Sequence, residues 1–424
     1  MAVLLGTVVV AGTGAQPDGT VPPGPAGSAR AAGGAENAGS ADAGERREAS
    51  TRAALAALVA AWRDHQRGKF VASAADTAPA ARWAASTWQA LTELDVRRWD
   101  LHYVRAASPP RGSSGDTAAV VDATWSQRGW QAPATTRLTV DLAGTAADGG
   151  DGVGVAGLRS APRSPMPLWA LRPGLTRVQT HQAEVLLPGG ASRQRVDRLA
   201  QQVALARTAV DDVSPAARTP GGPLVVVVPR TVVGFTRVLG RPPGAYVGIA
   251  AVTTTVDGSS RASAPVHVVL NPAVFARLPA VGAQVVLTHE VTHALTGAAA
   301  VSMPLWVAEG FADHVALRGS GVPARLAAGE ALASARRHGP PRVLPGTSAF
   351  AVGSSGLGRA YEQAWLAFRV LDRRYGPGAP VAVYRDVLAG RPVAAALRAT
   401  TGAGLGDFTR RWRAQLTRLA RADG

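Results

Sequence analysis

The sequence predicts an α+β protein with two folded modules behind a flexible leader, and three observations carry that reading. Large apolar residues recur at helical spacing up to about residue 94, the pattern then turns strand-like from Trp99, and a stretch rich in Gly, Ala, Pro and Ser precedes both. A second alternation of strand-like and helical segments begins after residue 176 and ends in a mainly helical C-terminal half around a mixed sheet. With 424 residues, 46% of them apolar, each module has enough material to bury a core.

Taken in order, residues 3–11 form an apolar run followed by the small residues Thr13-Gly14-Ala15, the pattern of an export signal and its cleavage site without the charged residues that usually open one. A secreted or cell-surface location is the expectation. The run is well short of the roughly 18 residues a bilayer span needs, and no later uncharged segment reaches that length, so no transmembrane span is expected. Residues 16–45 carry almost no large apolar side chain and read as a tether, which sets 1–45 apart as leader and linker.

The first module, 46–175, opens on Leu55, Leu58, Val59 and Trp62 at helical spacing, and a second helical stretch carries Trp83, Trp88, Leu91 and Leu94. Strand-like runs follow at 99–106, 118–125 and 135–142, separated by turns such as Ser108-Pro109-Pro110 and Asp148-Gly149-Gly150. Helices followed by such a meander resemble the small α+β cone of NTF2-like domains, and Pro162 to Pro173 marks the exit from it.

The second module, 176–424, begins with a strand at 176–187 and a helix over 192–210. Leu224-Val225-Val226-Val227-Val228-Pro229 is the continuous apolar run of a strand buried on both faces. Another strand, 265–270, leads towards the helix that carries the chemistry.

Two compositional facts narrow that chemistry. The chain has no cysteine, so disulfides, thiolate metal sites and cysteine nucleophiles are all excluded, and any metal must sit on His and carboxylates. The formal charge of +16 comes, Lys69 apart, from Arg, scattered beside Ala and Pro rather than gathered into a stripe interleaved with aromatics. That distribution fits a diffusely basic surface, and no nucleic-acid partner is expected.

Residues 286–295, Val-Leu-Thr-His-Glu-Val-Thr-His-Ala-Leu, contain His-Glu-x-x-His. Two histidines four apart project from one helix face about a turn apart, close enough to ligate one ion, and the intervening Glu290 falls where it can act as general base on a metal-activated water. Val281 and Val285 run in register into His289 and His293, and Gly297 supplies a stop signal. Sixteen residues beyond His293, Glu309 stands within Trp306-Val307-Ala308-Glu309-Gly310-Phe311-Ala312.

Together these segments resemble the gluzincin metallopeptidases, which pair a His-Glu-x-x-His helix with a downstream Glu ligand, often within Trp-x-x-Glu-Gly-x-Ala. The resemblance covers roughly 180–420, and the loop between the two motifs is shorter than in the aminopeptidases of that group. It implies a zincin-type domain, one zinc ion on His289, His293 and Glu309 with water in the open fourth position, Glu290 as base, and a peptide or protein substrate. It further implies Tyr361, at the head of a downstream helical segment, as donor to the oxyanion. Asp313, one turn beyond Glu309, becomes the carboxylate that fixes the tautomer of a ligand His. The strand at 265–270 is expected to be the edge that aligns an extended substrate, and the lack of an acidic motif ahead of His289 leans towards internal cleavage.

Plainer readings compete residue by residue. The histidines could form a core pair, Glu309 could serve the helix macrodipole, and Tyr361 could be packing. Asp313 and especially His314 could face solvent, and His267 is read as a packed or solvent-facing strand residue. The Trp residues are read as core. At the level of function, a metal-retaining or inactive peptidase-like scaffold and a zinc hydrolase of non-peptide amides or esters stay open beside the peptidase.

Overall fold

The computed structural model describes residues 7–9, 34–109, 117–144, 152–171, 174–180, 183–215, 217–219 and 221–422. Most of the leader, read as signal and tether, lies outside them. Two compact units emerge: Thr13–Arg128 with Pro133–Gly174, and Met1–Gly12 with Gly129–Ala132 and Leu175–Gly424.

In chain order the described elements start with β1 (Thr7–Val9), α1 (Gly34–Arg63), α2 (Arg67–Ala72) and α3 (Ala78–Glu93). The strands β2 (Val96–Ala107), β3 (Thr117–Gln127), β4 (Ala134–Gly144) and β5 (Val153–Ser160) follow. The helix of α1 begins at Gly34, twelve residues before the expected start of the first module at Arg46. Its buried stripe of Leu55, Leu58 and Trp62 is the one the spacing predicts. Thr77 caps α3 by accepting from the Ala80 amide, with a proline in the first turn.

The four strands form an antiparallel meander in sequence order. Helices and sheet share one aromatic core: Trp62 and Trp88 lie 4.8 Å apart by ring centroids, Phe70 and Trp99 5.7 Å, Trp99 and Trp169 5.7 Å. The last strand was not foreseen, since it begins within a Gly-rich stretch. Gly154 is needed there, because a Cβ would sit 2.5 Å from the Ala75 amide nitrogen.

The other unit continues with β6 (Leu175–Gln179), β7 (Glu184–Pro188), α4 (Arg193–Val213), β8 (Val225–Val227), α5 (Val232–Val238), β9 (Ala251–Thr255) and β10 (Val266–Leu270). Then come α6 (Pro272–Phe275), α7 (Ala280–Thr296), α8 (Leu305–Leu317), α9 (Ala324–Ala327), α10 (Gly329–His338), α11 (Leu357–Tyr375), α12 (Ala379–Leu388), α13 (Val393–Thr401) and α14 (Leu405–Ala422). The sheet is mixed, ordered β1-β9-β10-β8-β7-β6, with β10, β8 and β7 parallel and the β9–β10 and β6–β7 pairs antiparallel. A mixed sheet followed by a helical C-terminal half is the α+β arrangement expected.

Two local expectations are corrected. The single strand at 176–187 is a hairpin, β6 and β7, with Thr180 accepting from the Ala183 amide at its turn. The strand 265–270 is interior rather than an edge, because β9 pairs along one side of it and β8 along the other. A strand at 251–255 had not been predicted, although its β-branched Val and Thr residues favour one. Finally, the apolar run 3–11 contains β1, whose backbone pairs in parallel with Ala251–Thr253.

Candidate metal centre

The site is built from α7 and α8, both buried along nearly their whole length. The helix α7 packs between the sheet and α4, and it stops where Gly297 adopts φ 76°, accepting a left-handed cap that costs other residues strain. Val285 is buried in this stripe, whereas Val281 in the first turn is half exposed. On α8, Gly310 lets the helix lie directly on α11: a Cβ there would meet the Ala364 carbonyl oxygen at 2.6 Å. The glycine beside Glu309 is therefore a packing requirement.

This packing brings three donors to one point. His289 Nε2 and His293 Nε2 are 2.9 Å apart, and Glu309 Oε2 lies 3.0 Å and 3.3 Å from them. Ligand atoms at tetrahedral angles on one metal ion, each about 2.05 Å from it, stand about 3.3 Å apart, so the triangle has the size of one coordination shell. Proton bookkeeping points the same way. Asp313 Oδ1 lies 2.7 Å from His289 Nδ1, and a neutral His289 that donates there turns a lone pair at Nε2 towards the carboxylate and the second imidazole. Lone pairs converging at this distance repel unless a cation sits among them. The buried group His289, His293 and Glu309 can therefore bind a metal ion, and the residues fit it.

The carboxylates around His289 attract positive charge, which either a proton on its Nε2 or a metal ion displacing that proton would supply. Burial pushes the His289 imidazole down, but the carboxylates of Asp313 and Glu309 overcome it and lift its pKa to about 10. Burial raises Glu309, yet the two imidazoles hold it down at about 2. His293 is lowered by burial, and Asp313 is raised by burial against the pull of His289. The cluster as a whole favours positive charge at its centre.

Glu290 is fully buried. Its Oε2 accepts from Thr253 Oγ1 at 2.5 Å, while the buried Oε1 has no hydrogen-bond partner among the described residues. Burial, opposed chiefly by His289, raises its pKa to about 7. One oxygen is thus anchored and the other is available. The ring of Tyr361, at the start of α11, lies 6.1 Å from that of His289 by centroids, tilted against it and packed on Phe350.

His289, Glu290, His293, Glu309, Asp313 and Tyr361 are accordingly gathered at one place. His314 is not on a solvated face: α8 is enclosed on every side, and this imidazole is buried near Phe368, with burial lowering its pKa to about 4. His267 is buried on β10, its Nε2 without a partner among the described residues, and burial lowers it to about 3. Thr253 escaped the sequence reading altogether. Only the β-branched run around it hinted at a strand, and nothing in the spacing links it to a glutamate 37 residues away. Glu362 was also missed, a buried carboxylate whose Oε2 accepts from the Ala331 amide at the head of α10.

No family model matches this chain, and no curated protein matches it. Among the described residues, no helix is long and apolar enough to cross a membrane.

Proposed function

We propose that the chain is a zinc-dependent peptidase, with His289, His293 and Glu309 as ligands and Glu290 as general base. The observation that carries this reading is the conjunction of a coordination-sized donor triangle with a neighbouring glutamate held by one oxygen only. Two imidazoles and a carboxylate suit zinc, which when bound would lower the pKa of a water and polarise a scissile carbonyl.

The remaining work falls to the chain. Asp313 holds His289 in the tautomer that presents Nε2. Thr253 fixes Glu290 Oε2, so that Oε1 receives the proton of the attacking water and afterwards passes it to the leaving amine. A group with a pKa near 7 accepts and returns a proton at neutral pH with little cost in either direction. Tyr361, beside the His289 ring, is the candidate donor to the tetrahedral oxyanion.

One observation favours a second reading, a structural ion in a non-catalytic scaffold: every donor is at most 1% exposed, and catalytic sites keep a position open to substrate. Metal analysis with a peptide library, run with and without a zinc chelator, separates the two. The peptidase reading expects one zinc per chain, cleavage abolished by the chelator and restored by zinc. It also expects Glu290→Gln to retain zinc while turnover falls by orders of magnitude. Zinc retention without any cleavage by the parent protein establishes the scaffold instead.

A further inference from the structure

The arginines that look scattered in the sequence converge in the fold. Arg369, Arg373 and Arg374 of α11 and Arg411 and Arg418 of α14 line a single cleft of about 430 Å3. Among its described lining residues none is acidic. Two of the five have an ordinary explanation, since Arg373 and Arg374 occupy the last turn of α11 and complement the negative end of its macrodipole. Arg369 lies a turn further in, and Arg411 and Arg418 sit within the other helix, so that argument does not reach them.

The cleft is also held in shape. Trp412 and Leu416, on the opposite face of α14, are fully buried and fasten that helix to the core. Arg369 stacks over Trp365 with its Cζ 5.4 Å from the ring centroid, and Arg411 stacks over Tyr375 at 5.7 Å. Arg411 donates to the Tyr375 hydroxyl, and Arg418 to the Gln415 side chain. None of the five guanidinium groups forms an ion pair among the described residues, and the buried Nε of Arg369 has no hydrogen-bond partner among them. Burial chiefly, and then the charge of Arg373, lower the Arg369 pKa against the opposing pull of Asp372.

We propose that this cleft is a binding site for a multiply charged phosphate anion of the pyrophosphate class. Guanidinium forks offer paired N–H groups that match phosphate oxygens, and several forks around one pocket suit an anion carrying several charges over two adjacent phosphates. The lining comes from α11 and α14 alone, a local cleft sized for a compact group. Its lining residue on α11 nearest to Tyr361, Arg369, is eight residues away, about 12 Å along the helix at ~1.5 Å each, so its ligand is separate from anything held at the metal centre. The proposal stands independently of the peptidase reading.

The test uses the full chain and inorganic pyrophosphate in titration calorimetry, with inorganic phosphate and sulfate as weaker comparators. One saturable site is expected, weakening as salt rises. The double variant Arg373→Gln/Arg418→Gln, both side chains exposed, should bind at least tenfold more weakly while still melting cooperatively and keeping its metal content. An equally charged control, Arg82→Gln/Arg193→Gln, also at exposed positions, should bind like the parent. Phosphatidylglycerol vesicles form a second arm. Sedimentation with them that pyrophosphate competes away places the phosphate on a lipid headgroup, and its absence beside tight pyrophosphate binding places it on a soluble ligand. Both outcomes uphold the site. It is overturned by a lack of saturable pyrophosphate binding, by equal loss in the control variant, or by a single-stranded oligonucleotide whose affinity grows with length and exceeds that of pyrophosphate.

Discussion

Replacing Gly310 with alanine adds one methyl group, and the structure sets the cost of that change. The new Cβ would lie 2.6 Å from the Ala364 carbonyl oxygen, 2.7 Å from Phe368 Cδ2 and 2.8 Å from the Ala364 carbonyl carbon. Two of these atoms are main chain of α11, so relief requires α8 and α11 to part by most of an ångström. Overpacking of that kind costs about 1–3 kcal/mol, against a helix-propensity gain of at most ~1 kcal/mol. For a unit of this size, ~2 kcal/mol corresponds to a melting temperature lower by roughly 4–8 °C.

The displacement has a second consequence, because Glu309 is the preceding residue and its Oε2 stands only 3.0 Å and 3.3 Å from the imidazoles. Zinc affinity should fall with stability. Gly282→Ala in α7 is the internal control, since its Cβ would meet Pro279 Cδ at 3.7 Å and Leu278 Cβ at 4.0 Å, both ordinary contacts, and helix propensity then dominates. That variant should melt at or above the parent temperature. Calorimetric melting and zinc competition against a chromophoric chelator read both variants. A Gly310→Ala protein with parental melting and parental zinc affinity would refute the claim that this glycine sets the distance between the helices.

Asp313→Asn should weaken zinc binding by about 10- to 100-fold through loss of the carboxylate on His289 Nδ1, and an unchanged dissociation constant would remove Asp313 from that role. Thr253→Val keeps the shape but leaves Glu290 Oε2 without its donor, a loss of about 1–3 kcal/mol. Zinc content should hold while peptide turnover drops at least tenfold, and full turnover would show that the base needs no anchor. Glu362 provides a test of pH dependence. Burial, reinforced by the charge of Glu330, raises its pKa from the ordinary 4.5 to about 8, so the folded chain keeps a proton that the unfolded chain releases. Its contribution is complete below pH ~4.5 and is lost as pH rises towards 8, on the order of a few kcal/mol in total. In urea titrations Glu362→Gln should match the parent near pH 5 and exceed it near pH 8, and a constant offset at both pH values counts against this account.

What could be read in advance follows the range of the interactions concerned. The donor set spans residues 289 to 309, on two successive helices, and spacing within a helix already determines which side chains share a face. Asp313 was legible for the same reason, four residues after Glu309. Thr253 was not, because a strand reaches the base of α7 only after the sheet has formed, and no local pattern records that pairing. The interior position of β10 was hidden likewise: a buried strand and an edge strand differ in their neighbours, not in their own residues. His314 was misjudged because polar spacing on a helix signals solvent only when the helix has a solvent face, and α8 has none. The arginines of α11 and α14 lie more than thirty residues apart and become one cleft only through helix packing.

That enclosure of α8 bears on how the chain tolerates change. On α14 the buried residues Phe408, Trp412, Leu416 and Ala420 recur every fourth position, so core packing constrains only one face of that helix. On α8 every residue from Trp306 to Leu317 is buried, so almost any replacement either opens a void or forces neighbours apart. Sequence drift can therefore rewrite most of the surface around this helix while the helix itself stays nearly constant, confined by its surroundings as much as by the carboxylates it carries.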